Sequence, residues 1–349
     1  MNKIFFFLLF IYILIGDVAN SQIYFGNNTT IHFASPFEAK RILTTRDDFI
    51  IRMSPFDRSA RMKVDRDVSE KEYLEFVSEN ILPWNDLEKS HIFSAFQGIQ
   101  SKLDNLSLPF PKDVYIIKTT GKEEGGAAYT RANAIVFPKS YMEASTVKIQ
   151  KIISHELFHI LSRASPDLKE KLYKIIGFNK CDELKFPPTL KSRKITNPDA
   201  PKNDHFISIR VNNIKRLAIP ILFSNSEKYN MSLGGEFFDY LQFQFLIIEL
   251  DGKSLNPEPV YDERNPKLIG IQQISEFKEQ IGENTGYIIH PEEILADNFT
   301  LLLLEKLNVP SPLIIKKMEN LLKDKKRIGK KTPNKSIHTD RLTRPISGG

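Results

Sequence analysis

One cysteine, Cys181, is all the thiol chemistry that this 349-residue chain carries. No intrachain disulfide can form, so stability has to come from a core, to which 41% hydrophobic residues contribute, and from any metal the chain holds. No histidine can be paired with that thiol from the sequence, so there is no case for a cysteine nucleophile. Long apolar runs are lacking beyond the N-terminus. The stretch FQFLIIEL at 243–250 is strand-sized and too short to span a bilayer. No internal repeat is present. The motifs and interleaved aromatics of nucleic-acid readers are missing too, which speaks against a nucleic-acid role despite a net charge of +6.

Much of that positive charge collects in the last residues, KKMENLLKDKKRIGKKTPNKSIHTDRLTRPISGG (316–349). Residues 326–349 read as a basic, solvated, flexible tail, with weak binding to anionic surfaces as the most it offers. At the other end Lys3 precedes an apolar run from Ile4 to Ile15, with small residues following at Ala19 and Ser21. The run is short for a bilayer span and predicts a signal peptide over residues 1–21, cleaved near Ser21–Gln22. The protein is then secreted or periplasmic, without a transmembrane segment after cleavage; an uncleaved anchor is the rival reading.

Residues 22–325 have the pattern of an α+β region. Residues 22–65 read as loose strands. A capping box, Ser69 with Glu72, opens a helix, and a longer helix is predicted from Asp86 to about Asn105. DVYIIKTT (113–120) has the β-branched run of a buried strand, and AAYTRANAIVFP (127–138) reads as a second strand that Pro138 ends. A helix capped near Ser145 or Thr146 runs to about Arg163; Ser165-Pro166 opens another, and Gly177 closes it. Residues 180–265 read as an inserted β-containing segment, after which the pattern returns to helix.

Inside the helix over 146–163 stands HELFH. Residues four apart lie about 40° from each other around a helix, so His155 and His159 project from one face and can share a metal ion. Glu156 points beside that position, where it can take a proton from an activated water. The flanking Ile152, Ile153, Leu157, Phe158, Ile160 and Leu161 predict burial, and a buried histidine pair with a carboxylate is costly without a partner. Further on, HPEEILADNF (290–299) places His290, Glu293 and Asp297 on one helical face.

Through HELFH at 155–159 and EILAD at 293–297 the chain resembles the gluzincin-type zinc metallopeptidases; Ser162 and Ser165 stand where metzincins need Gly and His. The resemblance covers two helices and the strand before them. It implies a zincin-like fold and one zinc ion held by His155, His159 and Glu293, with Glu156 as general base and Asp297 orienting a ligand imidazole. Glu292 stays open as an alternative third ligand. The substrate is then a peptide or protein, bound in extended form against the strand containing Ala127, Ala128 and Tyr129. Candidate oxyanion donors are His205 and His290, followed by Tyr229 and Tyr287. The rival is a secreted binding or structural protein in which the metal serves stability; Glu156, a carboxylate beside three ligands, argues for the enzyme.

Overall fold

The computed structural model describes residues 23–25, 29–251, 254–306 and 308–323; the expected signal segment and the basic tail lie outside them. The architecture is mixed α and β, as the α+β reading expects. Where loose strands are predicted over 22–65, the described residues form β1 (Ile23–Phe25) and β2 (Thr29–Phe33), and most of the described remainder is helical. Local capping explains the difference. Ser35-Pro36 starts α1 (Pro36–Leu43) with a capping box to Glu38, and Asp47 caps α2 (Asp48–Arg52). Ser54-Pro55 starts α3 (Pro55–Met62). Each cap accepts hydrogen bonds from the first-turn N–H groups, and proline in that turn has no amide hydrogen to satisfy.

The first sheet continues with β3 (Ile81–Leu82), β4 (Asp113–Thr119), β5 (Tyr129–Arg131) and β6 (Ala134–Pro138), in the order β1-β2-β4-β6-β5 with β3 also on β4. Strands β2, β4 and β6 run parallel, and β5 folds back antiparallel on β6 as the outer strand. The single strand predicted over 127–138 is therefore a hairpin. It breaks at Ala132, whose φ of 51° is left-handed, and Asn133 ties the turn to the Asp113 carbonyl at 2.7 Å.

Helices α4 (Glu70–Glu79) and α5 (Asp86–Asp104) precede β4, and α6 (Thr146–Ala164) and α7 (Pro166–Ile175) follow β6. Ser145 caps α6 through Lys148 N–H, and α7 ends just before Gly177, whose φ is 83°. Ile149, Ile153, Leu157, Phe158, Ile160 and Leu161 of α6 are essentially inaccessible. At roughly 1.5–3 kcal/mol for each large apolar side chain, that stripe is enough to hold a helix carrying buried polar groups in place.

A second, seven-stranded sheet takes up β7 (Phe178–Lys180), β8 (His205–Val211), β9 (Ile214–Ser224), β10 (Leu241–Leu250) and β11 (Pro257–Pro259), with short strands at 268–269 and 274–275. Side-chain alternation divides it between two cores. Ile207, Ile209, Ala218, Phe245 and Ile247 join the main core of α5 and α6, while Ile219, Ile221, Phe223, Leu246 and Ile248 cover Cys181, Leu184 and Leu190, beside the short α8 (Pro188–Lys191). The β-containing segment at 180–265 thus contributes side chains to the main core on one face of its sheet and to a second core on the other. Burial pushes the Cys181 thiol up to about 12, so it is a core side chain without nucleophilic character. The chain closes with α9 (Phe277–Ile281), α10 (Pro291–Leu303) and α11 (Pro312–Lys323).

A buried ionic cluster ties the helical N-terminal part to the loop between β7 and β8 of the second sheet. Arg61 of α3 pairs with Asp57 and, at 2.9 Å, with Glu124, and donates to the Thr196 carbonyl at 3.0 Å. Asp57 in turn accepts from Thr196 N–H at 2.8 Å, and the Phe237 ring lies 4.1 Å from the guanidinium carbon. Removing one member of such a cluster strands the others. Arg61→Ala should lose about 3–5 kcal/mol of stability, read by urea unfolding; a loss under 1 kcal/mol would mean that the charges reach water.

Candidate metal centre

Helices α6 and α10 pack face to face, with the Phe158 and Phe299 rings 5.7 Å apart, and this brings together residues more than a hundred positions apart in sequence. His155 Nε2 lies 3.0 Å from Glu293 Oε2, and His159 Nε2 lies 3.6 Å from the same oxygen. The opposite ring nitrogens face carboxylates: His155 Nδ1 is 2.9 Å from Asp297, and His159 Nδ1 is 3.3 Å from Glu292. An Nδ1–H donated to a carboxylate leaves the Nε2 lone pair free, so both imidazoles are set to offer Nε2 to a cation. Glu292 also accepts from the Ser162 and Tyr173 hydroxyls, and Asp297 from Thr285. Asn197 holds the second oxygen of Glu293 at 2.6 Å. Of the two neighbouring glutamates, Glu293 therefore faces both Nε2 atoms, while Glu292 stands behind His159.

The donor set fits zinc. Ligands about 2.0–2.1 Å from a tetrahedral zinc stand about 3.3–3.4 Å apart, and the 3.0 and 3.6 Å separations bracket that value. His159 Nε2 and Glu156 Oε2 are buried and have no hydrogen-bond partner among the described residues. An orphaned imidazole nitrogen aimed at a carboxylate oxygen is expensive unless a cation completes it.

The two central glutamates are pushed in opposite directions. Burial alone would raise Glu293, yet His159, His155 and Asn197 hold it down at about 2. Burial and the neighbouring Asp199 carboxylate push Glu156 up to about 8, against the pull of the histidines. One carboxylate stays ionised, as a ligand requires, and the other can hold and release a proton near neutrality.

These groups line a cleft of about 630 Å³, together with Ala127, Ala128 and Tyr287. Ala127 and Ala128 stand where substrate contact is expected. Tyr129 is buried, donates its hydroxyl to Glu123 at 3.3 Å, and borders only a small neighbouring cavity. Both histidines ranked first as oxyanion donors lie off the cleft. His205 is buried between Asp204 at 2.6 Å and Glu170 at 3.1 Å, under the Tyr173 ring. His290 is the N-cap of α10, where Nδ1 accepts from Glu292 N–H at 3.1 Å; burial holds it down at about 4, which keeps it a neutral acceptor. Tyr229 donates to the Gly235 carbonyl. Tyr287 alone of the four faces the cleft, its ring 6.5 Å from that of His155, and burial with nearby Glu293 keeps its hydroxyl protonated.

Sequence reasoning missed Asp199 and Asn197, which sit in a Pro-rich loop with no fixed spacing to the motif. The chain matches no protein-family model, no curated protein and no solved structure.

Two measurements follow from this geometry. Glu292→Gln and Asp297→Asn should each weaken zinc binding by about 10–100-fold, in chelator competition; unchanged affinity would mean that the ring orientation is set by packing alone. For Asp204, burial acts to raise the carboxyl, but His205 and Lys180 hold it well below the usual range. Its contribution to stability is complete above the unfolded value of about 3.9 and fades as pH falls toward the lower folded one. The stability gap between wild type and Asp204→Asn should therefore be widest near pH 6–7 and narrow progressively below about pH 5 in urea titrations. A gap independent of pH would show that Asp204 acts through shape instead of charge.

Proposed function

We propose that the protein is an exported zinc-dependent peptidase of gluzincin type with a zincin-like fold. The observation that carries this reading is the convergence of two histidine Nε2 atoms on Glu293, beside a buried, proton-holding Glu156 in an open cleft. His155, His159 and Glu293 would hold one zinc ion, whose charge polarises a peptide carbonyl and makes water a better nucleophile at neutral pH. Glu156 takes the proton from the attacking water and delivers it to the leaving amine, a shuttle that its raised pKa favours. Tyr287, which lines the same cleft beside His155, donates to the developing oxyanion. Ala127 and Ala128 leave room for a substrate backbone along the wall that leads into β5. Among the described residues no helix is long and apolar enough to cross a membrane. Export itself rests on the N-terminal sequence pattern.

The test pairs metal analysis with hydrolysis of a mixed peptide library. Wild type should hold one zinc and cleave, and Glu293→Ala should lose the metal. Glu156→Gln should keep zinc while its kcat falls by about 10²–10⁴-fold. Tyr287→Phe should lower kcat by about 10²–10³-fold with little change in KM. Absence of zinc from wild type would refute the assignment. Zinc retained without cleavage by either protein would favour a binding protein with a structural metal.

A further inference from the structure

The loop around Asp199 reaches the metal centre, where Asn197 bonds to Glu293 of α10 at 2.6 Å. Donor atoms of Glu156, His159 and Asp199 lie within 4.8 Å of one another, as do those of His155, His159 and Glu293. The two groups share His159, whose Nε2 is buried and unpartnered, and the second contains Glu156, whose Oε2 is also buried and unpartnered. Asp199 is not left there by a loose loop. Its Oδ1 accepts from Thr130 N–H at 2.7 Å and from the Thr130 hydroxyl at 2.6 Å, and its own N–H donates to Asn197 at 2.9 Å. Arg163, one turn beyond His159 on α6, donates to its carbonyl at 3.2 Å. Upstream, Thr196 is fixed by Asp57 and Arg61, and Asn197 is fixed on Glu293.

Thr130 matters because β5 is the outer strand of its sheet. Its main-chain N–H points away from β6 and is a donor that an added extended strand would use. Asp199 occupies that donor. The same carboxylate thus stands in a donor group that shares His159 with the metal centre and on the outer edge of β5.

We infer that Asp199 is a fourth protein donor to the metal, carried on a strap over residues 196–202, and that it competes with substrate for both the open metal position and the Thr130 N–H. This rests on the zinc reading above. In the resting protein Asp199 takes the fourth metal position at the floor of the cleft, and a peptide binds by displacing that carboxylate. Release exposes the open position that hydrolysis needs.

The experiment compares full-length wild type with Asp199→Asn and Thr130→Val. Zinc affinity is read by chelator competition, the visible spectrum after cobalt(II) substitution, and the affinity of acetohydroxamate, a small metal-binding probe. Asp199→Asn should weaken zinc binding by about tenfold or more, alter the cobalt band pattern, and bind acetohydroxamate more tightly. A charge acting only from a distance would not alter that band pattern. Thr130→Val keeps every proposed ligand and removes the hydroxyl's bonds to Asp199 and to Arg163, both of which steady the strap, so it should tighten acetohydroxamate binding while leaving zinc within about threefold. It serves as the second arm if Asp199→Asn folds poorly, which thermal unfolding of the apo forms reports. If wild type binds metal while Asp199→Asn matches it in affinity, spectrum and probe binding, the strap proposal falls and the peptidase reading stands. If wild type binds neither zinc nor cobalt, both fall together.

Discussion

The docking of α10 on α6 is the contact on which the site depends. Neither helix carries a centre alone: α6 brings two imidazoles whose Nε2 atoms point at nothing of their own, and α10 brings three carboxylates in two turns. The interface that joins them is ordinary apolar packing, with Phe158, Leu157 and Ile160 against Ile294, Leu295 and Phe299, all excluded from water. That packing holds the two helices in register and so positions the polar side chains without contributing to their chemistry. A rigid scaffold of this kind is what lets a donor set be assembled before any cation arrives.

Adjacent positions on α10 serve different imidazoles because one step around a helix is about 100°. Glu292 turns toward the Nδ1 side of His159, Glu293 toward both Nε2 atoms, and Asp297, four residues on from Glu293, toward His155. Placing Glu292 and Glu293 in the first turn also sets their charge at the favourable end of the helix dipole. Ser162, Tyr173 and Lys169 add positive potential or hydrogen bonds at Glu292, so the carboxylate most deeply buried is also the best supported.

Much of this was legible in the sequence, because helical periodicity is a local property. The four-residue spacing of His155 and His159 and the ExxxD pair on α10 follow from turn geometry alone, and so does the burial of α6. What was not legible has physical reasons. The Ser-Pro caps at 35–36 and 54–55 start short amphipathic helices in a stretch that reads as loose strands, and in an eight-residue element the cap carries much of the signal. The break at Ala132 hid in a run of strand-forming residues, because its left-handed backbone is carried by a residue that does not advertise it. His205 looked catalytic because it follows a Pro-rich loop, whereas the loop itself supplies the groups at the centre. Asp199 and Asn197 reach the site by tertiary placement, and no spacing rule encodes that. The sequence favours Glu293 over Glu292 through Asp297 four residues on, and the relative rotation of α6 and α10 is what turns Glu293 toward both Nε2 atoms.

The anchoring of Thr196 by Arg61 and Asp57 gives the strap a leash. Three residues, fully extended, reach at most about 10–11 Å, so Asp199 can swing clear of the centre but cannot leave its neighbourhood. Held so close, a displaced carboxylate keeps an effective concentration on the order of millimolar or higher. If Asp199 is the resident fourth donor that we infer, any occupant of the cleft has to outcompete it, which disfavours weak, short or transient visitors and favours chains long enough to hold several points of the wall at once. A buried arginine on α3, with no place in the chemistry, thereby sets the stringency with which the cleft selects what stays in it.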